Sequence, residues 1–372
     1  MPPRSAATKR EASGSAARLP IGVRVERVAA STFVRLPPRV LRRVVGHPIR
    51  SPDGFTLDLQ SQALLWLIRV SGAEMHRGDL TRSRGHFDRA SRILEPKAAG
   101  PLRVFDRELP GAVGPRSARV YVSATAPLDS RPAIVWFHGG GFVLGSIGSH
   151  DGVCRALASQ AGVVVIAVDY RLAPEHRFPA ALEDAIAATR WTLDSGHQIG
   201  VDARFVAVGG DSAGGNLAAG VALALRGAAR RPAFQLLVYP ATDATQKEPS
   251  HRHFRDGFLL TGQNIGWFLD QYLPDACLAT DARVSPLLAG DLSGLAPALT
   301  MIAGFDPLRD EGYLYSERMR AAGVEVETVC SRGSLHGFLN TAGGLDESAR
   351  LLALAAERLR RALGPSGRGQ AL

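Results

Sequence analysis

One stretch, Gly209-Gly-Asp-Ser-Ala-Gly-Gly-Asn216, constrains the fold of this chain more than any other. The run before it, Arg204–Val208, is rich in β-branched and aromatic residues, and the run after it, Leu217–Leu225, is rich in helix formers. We therefore predict a sharp turn between a strand and a helix. The turn carries Ser212 in the spacing G-x-S-x-G, in which the residues two before and two after the serine crowd each other unless they lack a Cβ. This pattern makes Ser212 a candidate nucleophile.

The net charge of +9 raises the question of nucleic-acid binding, so its distribution matters. Residues 1–110 contain 20 Lys and Arg against 10 Asp and Glu, whereas the rest of the chain contains 24 against 25. The basic residues form no Lys/Arg block and are interspersed with acidic and apolar ones. We therefore expect no nucleic-acid partner, but a solvated basic face that allows peripheral contact with an anionic membrane.

The cysteine spacing and the hydropathy indicate the cellular compartment of the chain. The three cysteines are far apart and form no C-x-x-C pair, so neither a zinc site nor a disulfide framework is indicated. Residues 1–20 lack the apolar core of a secretory signal, and the apolar run 59–73 is too short to span a bilayer. We expect a cytoplasmic chain in which residues 59–73 form a buried or interfacial amphipathic helix.

The texture of the sequence changes near residue 101. Residues 1–20, rich in Ala, Ser, Arg and Pro, are predicted to be a disordered basic tail, and residues 366–372 a C-terminal tail. Between them we expect an N-terminal cap or extension at 21–100 and a catalytic domain at 101–365. Residues 243–297 interrupt the alternation of strands and helices in the catalytic domain and are predicted to contribute to a lid or pocket wall.

Strand-like and helical runs alternate after residue 101. The strand-like runs are Arg103–Leu109, Ala118–Ala124, Ala133–Phe137, Val163–Val168, Arg204–Val208, Phe234–Tyr239, Leu299–Ala303 and Val324–Cys330. The helical runs are Val153–Ala161, Ala180–Ser195, Ala213–Gly227, Gln263–Tyr272, Asp310–Ala322 and Glu347–Leu363. The first two strands read as a hairpin, and the alternation that follows predicts parallel strands joined by helical crossovers. The fold class is therefore α/β, with a mostly parallel central sheet of about eight strands flanked by helices.

A serine hydroxyl is a weak nucleophile without a base and an acid that orients the base. Asp306 follows the strand Leu299–Ala303, and the carboxyl ends of parallel strands are where sites are built. Asp306 is therefore the predicted acid. Asp310 competes with it, but a position in the first turn of the next helix favours a capping or surface charge.

The predicted base is His336, the last histidine of the chain, in the loop after the strand Val324–Cys330. From there its ring can reach Ser212. A lone loop histidine would be read as a surface residue, but the order Ser, Asp, His reverses that reading. Four other histidines lack such a placement and are predicted to be surface or structural residues: His176, His197, His251 and His253.

A tetrahedral intermediate needs donors that are fixed in advance for its oxyanion. The Ala213 N–H is one candidate, because it follows the nucleophile. The others are expected from the loop His138-Gly-Gly-Gly-Phe142, where bare backbone can approach a ligand closely. A phosphate loop is disfavoured because Leu144 stands where G-x-G-x-x-G needs its third glycine. His138 is predicted to be a scaffold that hydrogen-bonds this loop.

These motifs together resemble the hormone-sensitive-lipase-like family of α/β-hydrolase carboxylesterases, and the Gly-Asp-Ser-Ala-Gly form resembles its bacterial branch. The motifs are His138-Gly-Gly-Gly-Phe142, Asp169-Tyr-Arg-Leu-Ala-Pro-Glu175, Gly210-Asp-Ser-Ala-Gly-Gly215, Asp306-Pro-Leu-Arg-Asp310 and His336-Gly-Phe338. The resemblance covers roughly residues 101–365 and leaves residues 1–50 outside it. It implies an α/β-hydrolase fold with a helical cap.

The resemblance also implies the site residues. The triad would be Ser212, Asp306 and His336, and the oxyanion donors Gly140, Gly141 and Ala213. The expected activity is hydrolysis of short- to medium-chain acyl esters through an acyl-enzyme, with no metal or organic cofactor. A small-ligand receptor on the same scaffold is the alternative from another class, but its expected mark, a lost triad member, is absent. An amidase or a long-chain lipase shares the triad, and the sequence leaves monomer and homodimer both open.

Overall fold

A computed structural model of the protein describes residues 20–72, 79–124 and 131–364. The predicted tails at 1–20 and 366–372 lie outside these residues, except for Pro20. Eight strands form one sheet in the order β1-β2-β4-β3-β5-β6-β7-β8. They are β1 Leu102–Pro110, β2 Pro115–Ser123, β3 Arg131–Phe137, β4 Val164–Val168, β5 Val201–Asp211, β6 Phe234–Val238, β7 Ala298–Phe305 and β8 Val326–Leu335.

The sheet is mostly parallel, as predicted. Strand β2 is antiparallel to both β1 and β4, and all other neighbours are parallel. The predicted hairpin is therefore the first pair of strands, β1 and β2. Because β3, β5, β7 and β8 run in the same direction, their carboxyl ends meet at one edge of the sheet, where the candidate site residues follow them.

Eleven α-helices lie in the described ranges. They are α1 Ile21–Val34, α2 Pro38–Val45, α3 Leu59–Ser71, α4 Leu80–Ser91, α5 Asp151–Ala161, α6 Ala180–Ser195, α7 Ala213–Leu225, α8 Pro249–His253, α9 Gly262–Tyr272, α10 Arg309–Ala321 and α11 Asp346–Leu363. None of these helices combines the length and the apolar character that crossing a bilayer requires. The apolar run at 59–73 is instead largely helix α3, capped at its start by the Asp58 side chain, which accepts from the Ser61 N–H.

The core consists of two apolar layers, one on each face of the sheet. Side chains alternate along the central strands, so Val135 and Phe137 belong to one layer while Ile134 and Trp136 belong to the other. The first layer is covered by α6, α7 and α10, and the second by α5 and α11. Burial on both faces explains why the central strand runs are nearly continuous apolar sequences.

The strand boundaries differ from the predicted ones at the ends of β7 and β8. Strand β7 continues through Gly304 and Phe305, and β8 continues through Ser334 and Leu335, which were predicted to be loop. A register shift between Ala303 and Phe305 allows Phe305 to pair with Leu335. A single irregular pair of this kind leaves no pattern in the sequence, because it depends on the partner strand.

The N-terminal helices pack on one another and reach the C-terminal half of the chain. A separate apolar cluster joins Val34 and Leu41 of the first two helices to Leu64 of α3 and to Leu345, just before α11. The Asp58 N–H donates to the carbonyl oxygen of Gly333 in β8 over 2.9 Å. The N-terminal third therefore contacts the strand that leads to His336.

Candidate active site

Ser212 lies on the predicted turn between β5 and α7. Its backbone has φ 57° and ψ −119°, a conformation that residues with a side chain rarely adopt. A Cβ added to Gly210 would collide with the backbone of Gly214, and one added to Gly214 would collide with the Phe137 carbonyl. The two glycines of the motif are thus required by crowding between β3, the turn and the helix.

The structure brings Ser212, His336 and Asp306 together at the carboxyl ends of β5, β8 and β7. The Nε2 atom of His336 lies 3.0 Å from the Ser212 Oγ, and its Nδ1 atom lies 2.7 Å from the Asp306 Oδ2. Asp306 is fully buried, and its other oxygen accepts from the Leu308 N–H at 2.9 Å. The arrangement can pass a proton from the serine to an imidazole whose orientation the carboxylate fixes.

Asp306, and not Asp310, is the carboxylate that contacts His336. Asp310 lies in the first turn of α10, as predicted, and its carboxylate, about one-fifth exposed, is hydrogen-bonded. It accepts from the Ser250 N–H at 2.9 Å and from the Arg309 Nε at 2.7 Å. Ser250 in turn donates to the Pro307 carbonyl at 2.6 Å, which ties α8 to the turn that carries Asp306.

The glycine loop 139–141 lies directly beside the turn that carries Ser212, because β3 pairs with β5. Gly140 has φ 121° and Gly141 has φ 61°, values that favour glycine. Within the described part of the chain, the N–H groups of Gly140 and Gly141 donate to no protein acceptor. The N–H of Ala213 belongs to the first residue of α7, where helix geometry provides no partner. These three groups are therefore available to an oxyanion.

Behind the loop, Asp211 holds its backbone in place. The Oδ1 atom of Asp211 accepts from the Gly139 N–H at 3.1 Å, and the Oδ2 atom lies 3.3 Å from the His150 Nε2. Burial opposes ionisation of Asp211, but His150 outweighs it and holds the pKa of this carboxyl below its usual range. Asp211, the residue before Ser212, therefore couples the serine turn to the start of the glycine loop.

His138 is a buried scaffold, as predicted. Its Nδ1 atom lies 2.8 Å from the Gly139 carbonyl oxygen, and its ring stacks on Tyr170 with centroids 4.4 Å apart. Tyr170 donates to the His138 carbonyl at 2.7 Å. Burial, followed by the charge of His150, lowers the pKa of His138 to about 4, so His138 stays neutral at physiological pH.

Arg84 of α4 reaches the far side of the same loop, a contact that sequence reasoning missed. Its Nε donates to the Val143 carbonyl at 2.9 Å, and its NH2 group donates to the Ala173 carbonyl at 3.0 Å. Both terminal nitrogens also pair with Glu175 at 2.7 Å. The N-terminal third is thus fastened to the glycine loop and to the segment 169–175. No sequence signal marks Arg84, because several arginines of this region look alike.

Helix α9 covers the glycine loop. The ring of Phe268 lies where a Cβ of Gly141 would point, and Phe142 stacks on Tyr272 with centroids 3.9 Å apart. The helix starts with a capping box between Thr261 and Asn264. The segment predicted to contribute to a pocket wall therefore places an aromatic ring at the glycine loop.

A buried histidine–carboxylate pair lies beyond the turn that carries Asp306. His251 of α8 places its Nε2 2.7 Å from the Oε2 of Glu311, and Glu311 also accepts from the N–H of Asp243 at 3.1 Å. Burial disfavours the charge on His251, but the Glu311 carboxylate outweighs it and raises the pKa of His251. His251 is therefore structural, one of the two roles predicted for it. Among the described residues, no three or more His, Cys, Asp or Glu side chains group so as to hold a metal ion.

The geometry agrees with comparisons to known proteins. A family with the α/β hydrolase fold matches residues 134–340. The carboxylic ester hydrolase LipN of Mycobacterium tuberculosis is 44% identical over 300 residues, which cover 77% of this chain and 78% of that protein. An ethyl acetate hydrolase of Pseudomonas putida is 38% identical over 293 residues, covering 78% of this chain and 92% of its own.

A solved esterase structure is also similar to this chain. The esterase of Pyrobaculum calidifontis superposes with a TM-score of 0.74 at 40% identity and covers 81% of this chain and 98% of that one. The family match spans more than half of the chain, and the resemblance expected from five motifs is confirmed. The chain belongs to the hormone-sensitive-lipase-like family of α/β-hydrolase-fold carboxylesterases.

Proposed function

We propose that this protein is a serine carboxylesterase in which Ser212 is the nucleophile, His336 the base and Asp306 the acid that orients it. The observation that carries the proposal is the unbroken chain of contacts of 3.0 Å and 2.7 Å from the serine hydroxyl to a fully buried carboxylate. The names of the relatives support ester hydrolysis.

The proposed reaction has two halves. Asp306 keeps a proton on the Nδ1 of His336, so the Nε2 atom accepts the Ser212 proton while Oγ attacks the ester carbonyl. The oxyanion receives hydrogen bonds from the N–H groups of Gly140, Gly141 and Ala213. His336 then returns its proton to the leaving alcohol, and a water activated by the same nitrogen hydrolyses the acyl-enzyme.

The substrate proposed is a short- to medium-chain acyl ester, bound under a cap formed by residues 21–100 and 243–297. Arg84 and Phe268 support this view, since they bring the two segments to opposite parts of the glycine loop. The proposed esterase works in the cytoplasm as a monomer or homodimer and makes peripheral contact with an anionic membrane.

A panel of p-nitrophenyl esters from acetate to palmitate, with p-nitroacetanilide added, tests the proposal. We expect turnover of the shorter esters to exceed that of palmitate and of the amide. Ser212→Ala should lower kcat by about 10⁶, and an organophosphonate should label wild-type protein at Ser212, located by mass spectrometry. Ser117→Ala, an exposed serine of β2, is the matched control and should leave rates unchanged. Ester turnover that survives Ser212→Ala would refute the nucleophile.

A further inference from the structure

Helix α1 exposes an apolar stripe on the side that faces away from the protein. Ile21, Val25 and Val28 are 79%, 64% and 66% exposed, and they recur at i, i+4 and i+7, so they share one face of the helix. Thr32 continues the face by another turn and is also exposed. The opposite face is buried and packs in the N-terminal apolar cluster. Scattered exposed valines are ordinary, but three in register on one helix form a patch.

Arginines flank this stripe, and their pairing depends on the side they occupy. On the inner side of α1, Arg27 pairs with Glu95. On the side of the neighbouring helix α4, Glu26 of α1 pairs with Arg89. Arg24 is exposed beside the stripe, one turn before Val28, and has no acidic partner among the described residues. The outer edge of α1 is therefore both apolar and positively charged.

Helix α2 continues the same character after a link of three residues. It contains Arg39, Arg42 and Arg43, all exposed and without an acidic partner in the described ranges. Val40 and Val44 are exposed one turn apart on the same helix, while Leu41 anchors it in the protein. Helix α2 contains no acidic residue, and the one acidic residue of α1, Glu26, is paired with Arg89.

We propose that the exposed face of α1, together with the arginines of α2, is a docking surface for an anionic lipid bilayer. We define this lipid-docking face as Ile21, Val25, Val28, Arg24, Arg39, Arg42 and Arg43. A helix that lies in the plane of the interface needs an apolar stripe for the acyl region and cations for the headgroups. Arginine side chains suit the edges, because they keep their charge in the headgroup layer while their stems cover apolar surface.

Charge complementarity selects the lipid among the possible occupants. A second copy of this chain would place the same unpaired arginines opposite one another, which costs free energy. An anionic bilayer neutralises them and buries the stripe at the same time. The inference deepens the proposed function by giving the esterase a membrane contact on its N-terminal helices, but it needs no catalytic residue.

Vesicle sedimentation tests the proposal with the full chain. Wild-type protein should sediment with phosphatidylcholine vesicles that contain phosphatidylglycerol and stay in solution with phosphatidylcholine alone. Binding should weaken strongly between ~10 mM and ~1 M salt, because the screening length falls from about 30 Å to about 3 Å. Binding that is equal for both vesicle types, or absent at low salt, would overturn the proposal.

Two variants separate the apolar and the basic contributions. The triple substitution Ile21→Ser, Val25→Ser and Val28→Ser should weaken binding by about tenfold or more. The triple substitution Arg39→Gln, Arg42→Gln and Arg43→Gln should weaken it by about fivefold for each arginine. If the first variant does not fold, as judged by circular dichroism, the second one decides. If a folded variant binds vesicles like the wild type, the residues that it replaces do not belong to the lipid-docking face.

Matched controls use residues of similar exposure elsewhere. Val113→Ser replaces a valine that is 67% exposed in the β1–β2 turn and should not change binding. Arg204→Gln, Arg350→Gln and Arg361→Gln together remove the same charge from exposed, ion-paired arginines and should have a far smaller effect than the α2 variant. A dimer in light scattering that the serine triple converts to a monomer would instead assign the face to a second copy.

The readouts keep this inference separate from the proposed activity. Sedimentation and the hydrolysis of soluble p-nitrophenyl acetate without vesicles are measured on the same preparations. Ser212→Ala should abolish that hydrolysis and still sediment like the wild type. Loss of binding on deletion of residues 1–19, with no effect of either triple, would place the contact in that segment and overturn the assignment to the two helices.

Discussion

The ring of Phe268 occupies the space that a side chain at Gly141 would need. Phe268 belongs to α9 and Gly141 to the loop after β3, so 126 intervening residues separate two groups in direct contact. Helix α9 therefore limits how far the glycine loop can move. The contact gives a test of the proposed oxyanion donors.

Gly141→Ala should lower kcat by about 10²-fold, because displacement of the loop misplaces an oxyanion donor. Phe268→Ala alone should change the preference among acyl chain lengths more than kcat. If the collision is the cause, Gly141→Ala combined with Phe268→Ala should recover part of the lost kcat. The same glycine change combined with Trp267→Ala should recover nothing. Equal kcat for the two double variants would contradict the contact as the cause.

Arg84→Lys should lower kcat by about tenfold with little change in KM, because a lysine keeps the charge but has a single nitrogen in place of the two that reach Val143 and Ala173. Arg89→Lys is the control on the same helix, since that arginine forms an exposed pair with Glu26. Steady-state kinetics on p-nitrophenyl butyrate measures both. A fall in Tm without a fall in kcat would show that Arg84 stabilises the fold and does not position the loop.

Asp306→Asn should lower kcat by about 10⁴, because the amide favours the wrong imidazole tautomer. Asp310→Asn should change kcat far less and lower the free energy of unfolding by about 1 kcal/mol through its bonds to Ser250 and Arg309. Urea unfolding and kinetics on the same preparations distinguish the two. The reverse order of the kinetic effects would mean that Asp310 is the acid.

His138 should make stability fall as the pH drops from about 6.5 toward 4. In the unfolded chain a histidine takes up a proton near pH 6.5, whereas the pKa of His138 in the folded protein is about 4. The unfolded state therefore binds more protons in this window, which favours unfolding. Between pH 7 and pH 5 the wild type should lose about 2 kcal/mol more than His138→Gln.

Urea unfolding at both pH values measures this difference. His253→Gln, which replaces an exposed histidine, is the control for the loss of an imidazole. Parallel pH curves for the wild type and His138→Gln would show that His138 is protonated alike in both states.

The sequence could predict the features that depend on neighbours along the chain. Two glycines around Ser212, a strand before it and a helix after it specify the turn, since the residues two before and two after the serine crowd each other. The order of strands and helices specified the parallel sheet, and the sheet direction placed Asp306 and His336 at the same edge. Backbone periodicity and steric limits are local, so they are legible in one sequence.

The tertiary structure decided which groups support the glycine loop and the turn that carries Asp306. Arg84, Phe268 and Ser250 lie 59, 127 and 57 positions from the residues they hold, Val143, Gly141 and Pro307. Their own sequence surroundings do not distinguish them from other arginines, aromatics and serines. Asp310 likewise has the sequence position of a helix-start charge, and its contact with α8 follows from the tertiary structure alone. Contacts between distant segments depend on how the helices pack over the sheet, and packing is a property of the whole fold.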